Sequence, residues 1–531
     1  MKGGTDSELN GWDCRVARKS KFLYSIQGTN HRQARKFGDP DEIRQGEDMR
    51  RRQKIFLFLL LFGSLAVVSS FSSSSQKTEP LNKITATKGS EVFWGKWEGF
   101  MEGKIKLQLV FEIVKNKDNT LQCLYSMPLQ GLNGEPVQSF SIEGTTVNIT
   151  IPLVMFTYSG SLKEDHLTIE GVFLRRGESG PKLILKKVIN ISSLFRPQTP
   201  QKPYPYMEQD VKFSNLYDNI VLAGTLTYPR SGGPFPAAIL ISGAGPQDRN
   251  EEGFGGHRFF HVLADDLTKR GIAVLRYDDR GTAKSTGKYY DATVFDFAND
   301  AEAGLDFLKT IPFIDKDKIG FIGHSEGGFV AQIVAGRRAE TAFIILMAGP
   351  VMPTVDILKF QIKGASDRAA VLGAKTENIT ALLDNALDIA LKEEGMPAVR
   401  NKMASLFNNS NLPDEQKKSF TDMFCAPEMI FAVKTNPADY LAKVKCPILA
   451  LGGTKDMAVP AKENHEALRK IMAKLGHSNY EIVEFPNMNH FFQTTTNGMF
   501  YYVPQIKETM SPVAMKTMGD WILKTMGKKT N

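Results

Sequence analysis

Gly323-His324-Ser325-Glu326-Gly327 is a G-x-S-x-G pattern, the arrangement that can present a serine as a nucleophile. In a chain with 45 glycines the pentapeptide alone is weak, and its setting is what gives it weight. Lys318 to Ile322 reads as a buried strand running into it, and Gly328 to Ala335 as a helix leaving it. Glycines on both sides allow a turn too tight for side chains, which would lift the Ser325 hydroxyl above the strand ends and beside a helix N-terminus. A serine hydroxyl is a poor nucleophile at neutral pH. The reading therefore demands a histidine base and a carboxylate to orient it.

Position selects both partners. In a parallel sheet the site lies at the C-terminal ends of the strands. His490 follows the predicted strand Tyr480 to Phe485, whereas His477 precedes it; Asp456 follows the strand Pro447 to Leu451, whereas Asp439 lies before it. The expected catalytic set is therefore Ser325, Asp456 and His490. Attack on a carbonyl also creates an oxyanion, which needs N–H donors already in place. The backbone N–H of Glu326 supplies one, and the Ala244 N–H, in the bare loop Ser242-Gly243-Ala244-Gly245-Pro246, is favoured as the other.

The elements that must carry these residues are legible as alternation. Ala237 to Ser242, Ile272 to Tyr277, Ile319 to Ile322, Ala342 to Met347, Pro447 to Leu451 and Tyr480 to Phe485 are short apolar runs, mostly separated by helix-length segments such as Phe259 to Arg270 and Phe295 to Lys309. This predicts a mostly parallel sheet wrapped by helices. Residues 351–445 lack a comparable run but repeat apolar positions at helical spacing, and read as a helical insertion. Phe407, Phe420, Met423, Phe424, Met429 and Phe431 within it either wall an acyl site or pack the insertion onto the body. Upstream, residues 91–190 alternate with period two between Gly and Asn-Gly turns, predicting a small antiparallel barrel or sandwich. There Trp94, Trp97 and Phe100 are core plugs in preference to a ligand-facing cluster. A proline-rich connector, 191–206, joins the two parts.

The remaining features bound the function. With 531 residues the chain exceeds a single ordinary domain, and 42% hydrophobic residues with 34 Phe exclude a mainly disordered protein. The net charge of +8 is concentrated at the start: after residue 54 the chain holds 53 Lys and Arg against 50 Asp and Glu. No basic stripe interleaved with aromatics follows, so nucleic acid is not an expected partner. Arg50, Arg51, Arg52 and Lys54 precede a 14-residue apolar run, Ile55 to Val68, and a serine-rich stretch. That is a signal-peptide layout over 49–75. The run falls short of the roughly 20 residues of a membrane-spanning helix, which favours cleavage and a periplasmic or secreted product over a membrane anchor at 55–68. Residues 1–48 read as an upstream extension, with Met49 as the natural start. Cys123, Cys425 and Cys446 would remain after export and allow at most one disulfide within a chain. His257 and His261 have i, i+4 spacing but lack the Glu and third ligand of a metal site, so neither metal nor cofactor is expected. Asp278-Asp279-Arg280 follows a strand end and predicts a buried ion network beneath the site.

Taken together, Ser242 to Arg249, Leu275-Arg-Tyr-Asp-Asp-Arg-Gly281, Gly323-His-Ser-Glu-Gly-Gly328 and Asn489-His490 resemble the esterase D type of bacterial serine hydrolases, within the α/β-hydrolase superfamily and akin to its prolyl-oligopeptidase-like and acyl-CoA thioesterase-like groups. The resemblance covers residues 207–527. It implies the α/β-hydrolase fold with a helical cap at 351–445, the chain order Ser, Asp, His for the triad, and carboxylic ester hydrolysis. The β-rich segment looks like the N-terminal domain that accompanies such hydrolases in some secreted bacterial proteins, with no activity implied. A small-molecule ester is thus the expected partner, with a serine peptidase or thioesterase as the rival enzyme. A ligand-binding protein on an inactive hydrolase scaffold is the rival outside enzymes.

Overall fold

The computed structural model describes residues 83–527, apart from 102–106, 129–131, 152–155, 176–177, 190, 192–195, 254–255 and 372–376. The expected upstream extension and signal peptide lie outside the described residues.

Ten strands form the first sheet: β1 (Lys83–Thr85), β2 (Gly95–Met101), β3 (Leu107–Lys115), β4 (Thr120–Met127), β5 (Leu132–Pro136), β6 (Ser139–Glu143), β7 (Thr146–Ile151), β8 (Phe156–Leu162), β9 (Thr168–Arg175) and β10 (Glu178–Val188). Their order is β1-β4-β3-β2-β10-β9-β8-β7-β6, with β5 on β4, and every pairing is antiparallel. The two ends of this path, β1 and β6, approach each other, so the sheet curls into a nearly closed barrel. Alternation explains why: β4 turns Leu121, Cys123, Tyr125 and Met127 inward and the residues between them outward. Phe93, Trp97, Phe111 and Tyr158 fill the interior. Trp97 donates its indole N–H to the Phe93 carbonyl at 2.7 Å, whereas Phe100 is 37% exposed and is no core plug.

The second sheet has eight strands, β11 (Met207–Asn215), β12 (Ile220–Tyr228), β13 (Phe235–Ile241), β16 (Ala273–Tyr277), β17 (Ile314–His324), β18 (Ile344–Met347), β19 (Ile448–Gly453) and β20 (Tyr480–Phe485). A two-residue pair, β14 (Glu252–Gly253) and β15 (His257–Arg258), lies outside it. The sheet order is β11-β12-β16-β13-β17-β18-β19-β20. Antiparallel pairing links β11, β12 and β16, and all later pairs are parallel. Strands β13, β18 and β19 are apolar and buried throughout because both faces are covered. On one face lie α1 (Phe259–Lys269) and α11 (Pro512–Thr525); on the other lie α2 (Val294–Lys309), α3 (Glu326–Arg337) and α10 (Ala461–Leu475).

Between β18 and β19 the described residues form six helices, α4 (Thr354–Val371), α5 (Glu377–Lys392), α6 (Met396–Asn408), α7 (Asp414–Phe424), α8 (Pro427–Lys434) and α9 (Ala438–Leu441). Phe407 and Phe424 are buried in a core belonging to this insertion, with Phe420, Met423 and Met429 packed against it. Five of the six residues weighed as acyl walls therefore face inward. The sixth, Phe431, packs edge-on against Phe295 of the body at 5.6 Å. The connector is also strapped down: Arg196 Nη1 donates to the Ile506 carbonyl at 2.9 Å, and Gln198 Nε2 to that of Met510 at 2.6 Å.

Candidate active site

Strand register sets the site. Ile241 at the end of β13 lies beside Gly323 near the end of β17, whose neighbour β18 pairs Met347 with His324. The chain leaving β13 and the turn leaving β17 therefore emerge side by side. Ser325 sits on that turn in the left-handed region, φ 53° and ψ −121°, and caps α3. A non-glycine residue there is strained. The turn closes only because Gly323 and Gly327 lack side chains: a Cβ on Gly323 would fall 2.1 Å from the Gly327 carbonyl oxygen, and one on Gly327 would fall 2.2 Å from that of Ile241. Ser325 itself donates its backbone N–H to the Met347 carbonyl at 2.9 Å.

Asp456 and His490, carried by the loops after β19 and β20, meet: His490 Nδ1 and Asp456 Oδ2 are 2.8 Å apart, both side chains buried. The other carboxylate oxygen, Oδ1, accepts the backbone N–H groups of Ala458 and Val459 at 2.8 and 2.9 Å. Three donors thus fix the carboxylate, which fixes the ring. His490 is linked to the Ser325 turn through His324, whose ring centroid is 4.8 Å from that of His490 and whose Nε2 lies 3.1 Å from the His490 carbonyl oxygen.

The loop after β13 is held by several hydrogen bonds. Ser242 Oγ donates to Asp279 Oδ1 at 2.6 Å and the Gln247 N–H to Asp279 Oδ2 at 2.8 Å. Gly243 N–H donates to Glu251 Oε1 at 3.3 Å and Gly245 N–H to Tyr289 Oη at 2.7 Å. Between these two engaged amides, the Ala244 N–H has no hydrogen-bond acceptor among the described residues. Where a side chain on Gly243 would begin, Ser325 Cβ is 3.3 Å away, so this loop faces the serine. Behind it is a cavity of about 10 Å³ lined by Ser242, Gly243, Asp279, Tyr289 and Glu326, room for about one water.

Burial sets the electrostatics. It pushes Asp279 well above the usual carboxylate range in spite of its two donors, and it raises Glu326 to about 7. The network expected from Asp278-Asp279-Arg280 is present but divided. Asp278 takes Arg249 through two bonds at 2.9 and 2.7 Å, Arg280 pairs with Asp300 at 2.7 Å, and Asp279 serves the loop by hydrogen bonds. His257 places Nε2 2.8 Å from the Thr509 carbonyl oxygen, and burial lowers it to about 3. His261 instead stands edge-on to Tyr204. Cys123, Cys425 and Cys446 are free thiols. Glu251, buried and 2.6 Å from His324 Nδ1, was not foreseen from the sequence. The signal was a histidine inside the serine motif with no stated partner.

The strand order, the strained serine between a strand and a helix, and the Asp and His loops following in chain order complete one known architecture. Its fold is that of the α/β-hydrolases. Residues 252–494 match the family described as "Serine aminopeptidase, S33". Esterase EstD of Thermotoga maritima is 24% identical over 326 residues, 59% of this chain and 69% of the relative. The acylamino-acid-releasing enzyme of Rattus norvegicus is 23% identical over 270 residues, 48% of this chain and 30% of the relative. Among solved structures, the Pyrococcus furiosus esterase Pf2001 aligns with a TM-score of 0.37 at 19% identity, covering 63% of this chain and 98% of that one. Within this fold the helical insertion occupies the crossover between β18 and β19, and the barrel precedes β11.

Proposed function

We propose that the chain is an exported serine hydrolase that cleaves carboxylic esters of small molecules through an acyl-enzyme at Ser325. The observation that supports the reading is the His490 to Asp456 bond of 2.8 Å, on a ring 4.8 Å from that of His324, the residue before the left-handed Ser325. In the first half-reaction Ser325 Oγ attacks the ester carbonyl carbon and passes its proton to His490 Nε2. The oxyanion that forms is received by the N–H groups of Glu326 and Ala244. His490 then gives the proton to the departing alkoxide, and the C–O bond breaks. Water, deprotonated by the same nitrogen, attacks the acyl group and restores Ser325. These steps use no cofactor. Likeness to EstD supports ester substrates; the S33 description and the acylamino-acid-releasing enzyme favour a second reading, amide hydrolysis.

The test is labelling by a fluorophosphonate, followed by comparison of p-nitrophenyl acetate and butyrate with alanyl and prolyl p-nitroanilides. We expect the esters to have the higher kcat/KM, Ser325→Ala to lose about 10³-fold or more in turnover, and Asp456→Asn to approach that loss. The Asn amide would face His490 Nδ1 and impose the wrong tautomer. Near-normal hydrolysis by Ser325→Ala would sink the assignment, and a higher kcat/KM on either anilide would make the enzyme a peptidase. Export rests on the basic and apolar layout of residues 50–68. The secreted protein should begin near residues 70–76, and an N-terminal sequence starting at Met1 on correctly localised protein would refute it.

A further inference from the structure

His324 holds the variable position before the nucleophile, yet it is 1% exposed and both ring nitrogens face oxygen. Nε2 lies 3.1 Å from the His490 carbonyl, which can only accept, so Nε2 must carry a proton. Nδ1 lies 2.6 Å from Glu251 Oε1, and that oxygen already accepts the Gly243 N–H at 3.3 Å. With Nε2 protonated, the 2.6 Å contact between Nδ1 and Oε1 holds one further proton between the ring and the carboxylate. Burial alone would depress His324, but the Glu251 charge and hydrogen bond outweigh it and hold the ring above its ordinary range. The second carboxylate oxygen, Oε2, is buried without a hydrogen-bond partner among the described residues. The charge of Glu251 is thus met at Oε1.

This unit touches three loops at once. Through Oε1 it holds the Gly243 amide, leaving the next amide, Ala244, directed elsewhere. His324 is itself the residue before Ser325, and through Nε2 it holds the backbone of His490. Phe259 and Phe491 wall the ring at 4.9 and 5.3 Å, which excludes water from both bonds. Displacing a reacting group by about 1 Å can cost about 100-fold in rate, and each of these loops carries one group of the proposed reaction. We infer that Glu251 and His324 are a positioning pair that sets the oxyanion loop, the nucleophile turn and the base in one register. The inference rests on the serine-hydrolase reading above.

Glutamine at 251 separates the functions of Oε1. Its oxygen can accept from Gly243 and from Nδ1–H, which leaves Nε2 unprotonated against the His490 carbonyl. Its NH2 can instead donate to Nδ1, which restores Nε2–H but turns a donor toward Gly243. One contact is lost either way. We expect Glu251→Gln and His324→Gln each to lower kcat on p-nitrophenyl acetate about 10- to 100-fold with KM within about twofold. The fluorophosphonate inactivation rate should fall by a similar factor, and the double variant should be no worse than the poorer single one. Rates are to be expressed per folded molecule, counted by labelling carried to completion. Turnover per labelled site within threefold of the parent in Glu251→Gln, or losses that multiply in the double variant, would overturn the pair. Ser325→Ala run in parallel keeps the two readings apart. If it is still labelled, the nucleophile assignment fails and the positioning inference falls with it. If labelling depends on Ser325 and Glu251→Gln turns over normally, the positioning inference alone fails.

Discussion

Glu326 stands immediately after Ser325, and burial raises its carboxyl from an ordinary value near 4.5 to about 7. Between those values the folded chain binds a proton that the unfolded chain has released, so the stability Glu326 contributes is present at low pH and is lost as pH rises through about 7. Glu326→Gln removes the titration. Thermal melts from pH 4 to pH 8 should show the variant matching the parent at the acid end and exceeding it at pH 8; parallel curves would refute the expectation. The Ser325 turn and the meeting of Asp456 with His490 were legible because each residue follows a recognisable strand, and strand direction decides which carboxylate and which imidazole share an end. Glu251 was not. Its partner lies 73 residues away, and nothing in a linear sequence says that a buried histidine needs an acid. Its backbone also sits at φ 47°, a left-handed position that no glycine announces.

At the scale of elements, the Ser325 turn depends on backbone passing against backbone. Gly327→Ala would put a methyl group 2.2 Å from the Ile241 carbonyl oxygen and 2.5 Å from that of Ser242, atoms that cannot swing aside as a side-chain tip can. It should destabilise the fold by about 1–3 kcal/mol or more, read as a lower urea midpoint; an unchanged midpoint would mean the strand, turn and helix are looser than described. The strands were legible from apolar runs, but β17 begins at Ile314, five residues before the run at Ile319. Polar Asp315, Lys316, Asp317 and Lys318 hid its first half, because that part of the strand is largely solvated and the central part is not. The apolar residues of the insertion were visible at helical spacing, yet their destination was not, since a stripe that lines a pocket and one that packs helix on helix have the same period.

Over the whole molecule, the connector from barrel to hydrolase is anchored by polar contacts to residues more than 300 positions later. Arg196 is buried, its guanidinium is lowered to about 10 by that burial, and it donates to the carbonyls of Ile506, Val503 and Pro504. Arg196→Met would leave the Ile506 carbonyl without its 2.9 Å donor. It should cost about 1–3 kcal/mol, seen as a lower melting temperature and faster protease cleavage between 191 and 206; equal melting and cleavage would argue that the strap is incidental. The prolines predicted a stiff connector, but only long-range contacts show what it is tied to. The six helices between β18 and β19 tell a different story, because they leave and re-enter the sheet at adjacent strands and close over a core of their own. Such a segment can be inherited, lost or exchanged as one cassette. The joins an exchange must respect include Gln361 Nε2 on the Ala458 carbonyl at 2.9 Å, two residues from Asp456. A lineage built this way can change what reaches Ser325 while the proposed catalytic atoms stay ancestral, so divergence should accumulate faster in 351–445 than in the strands on either side.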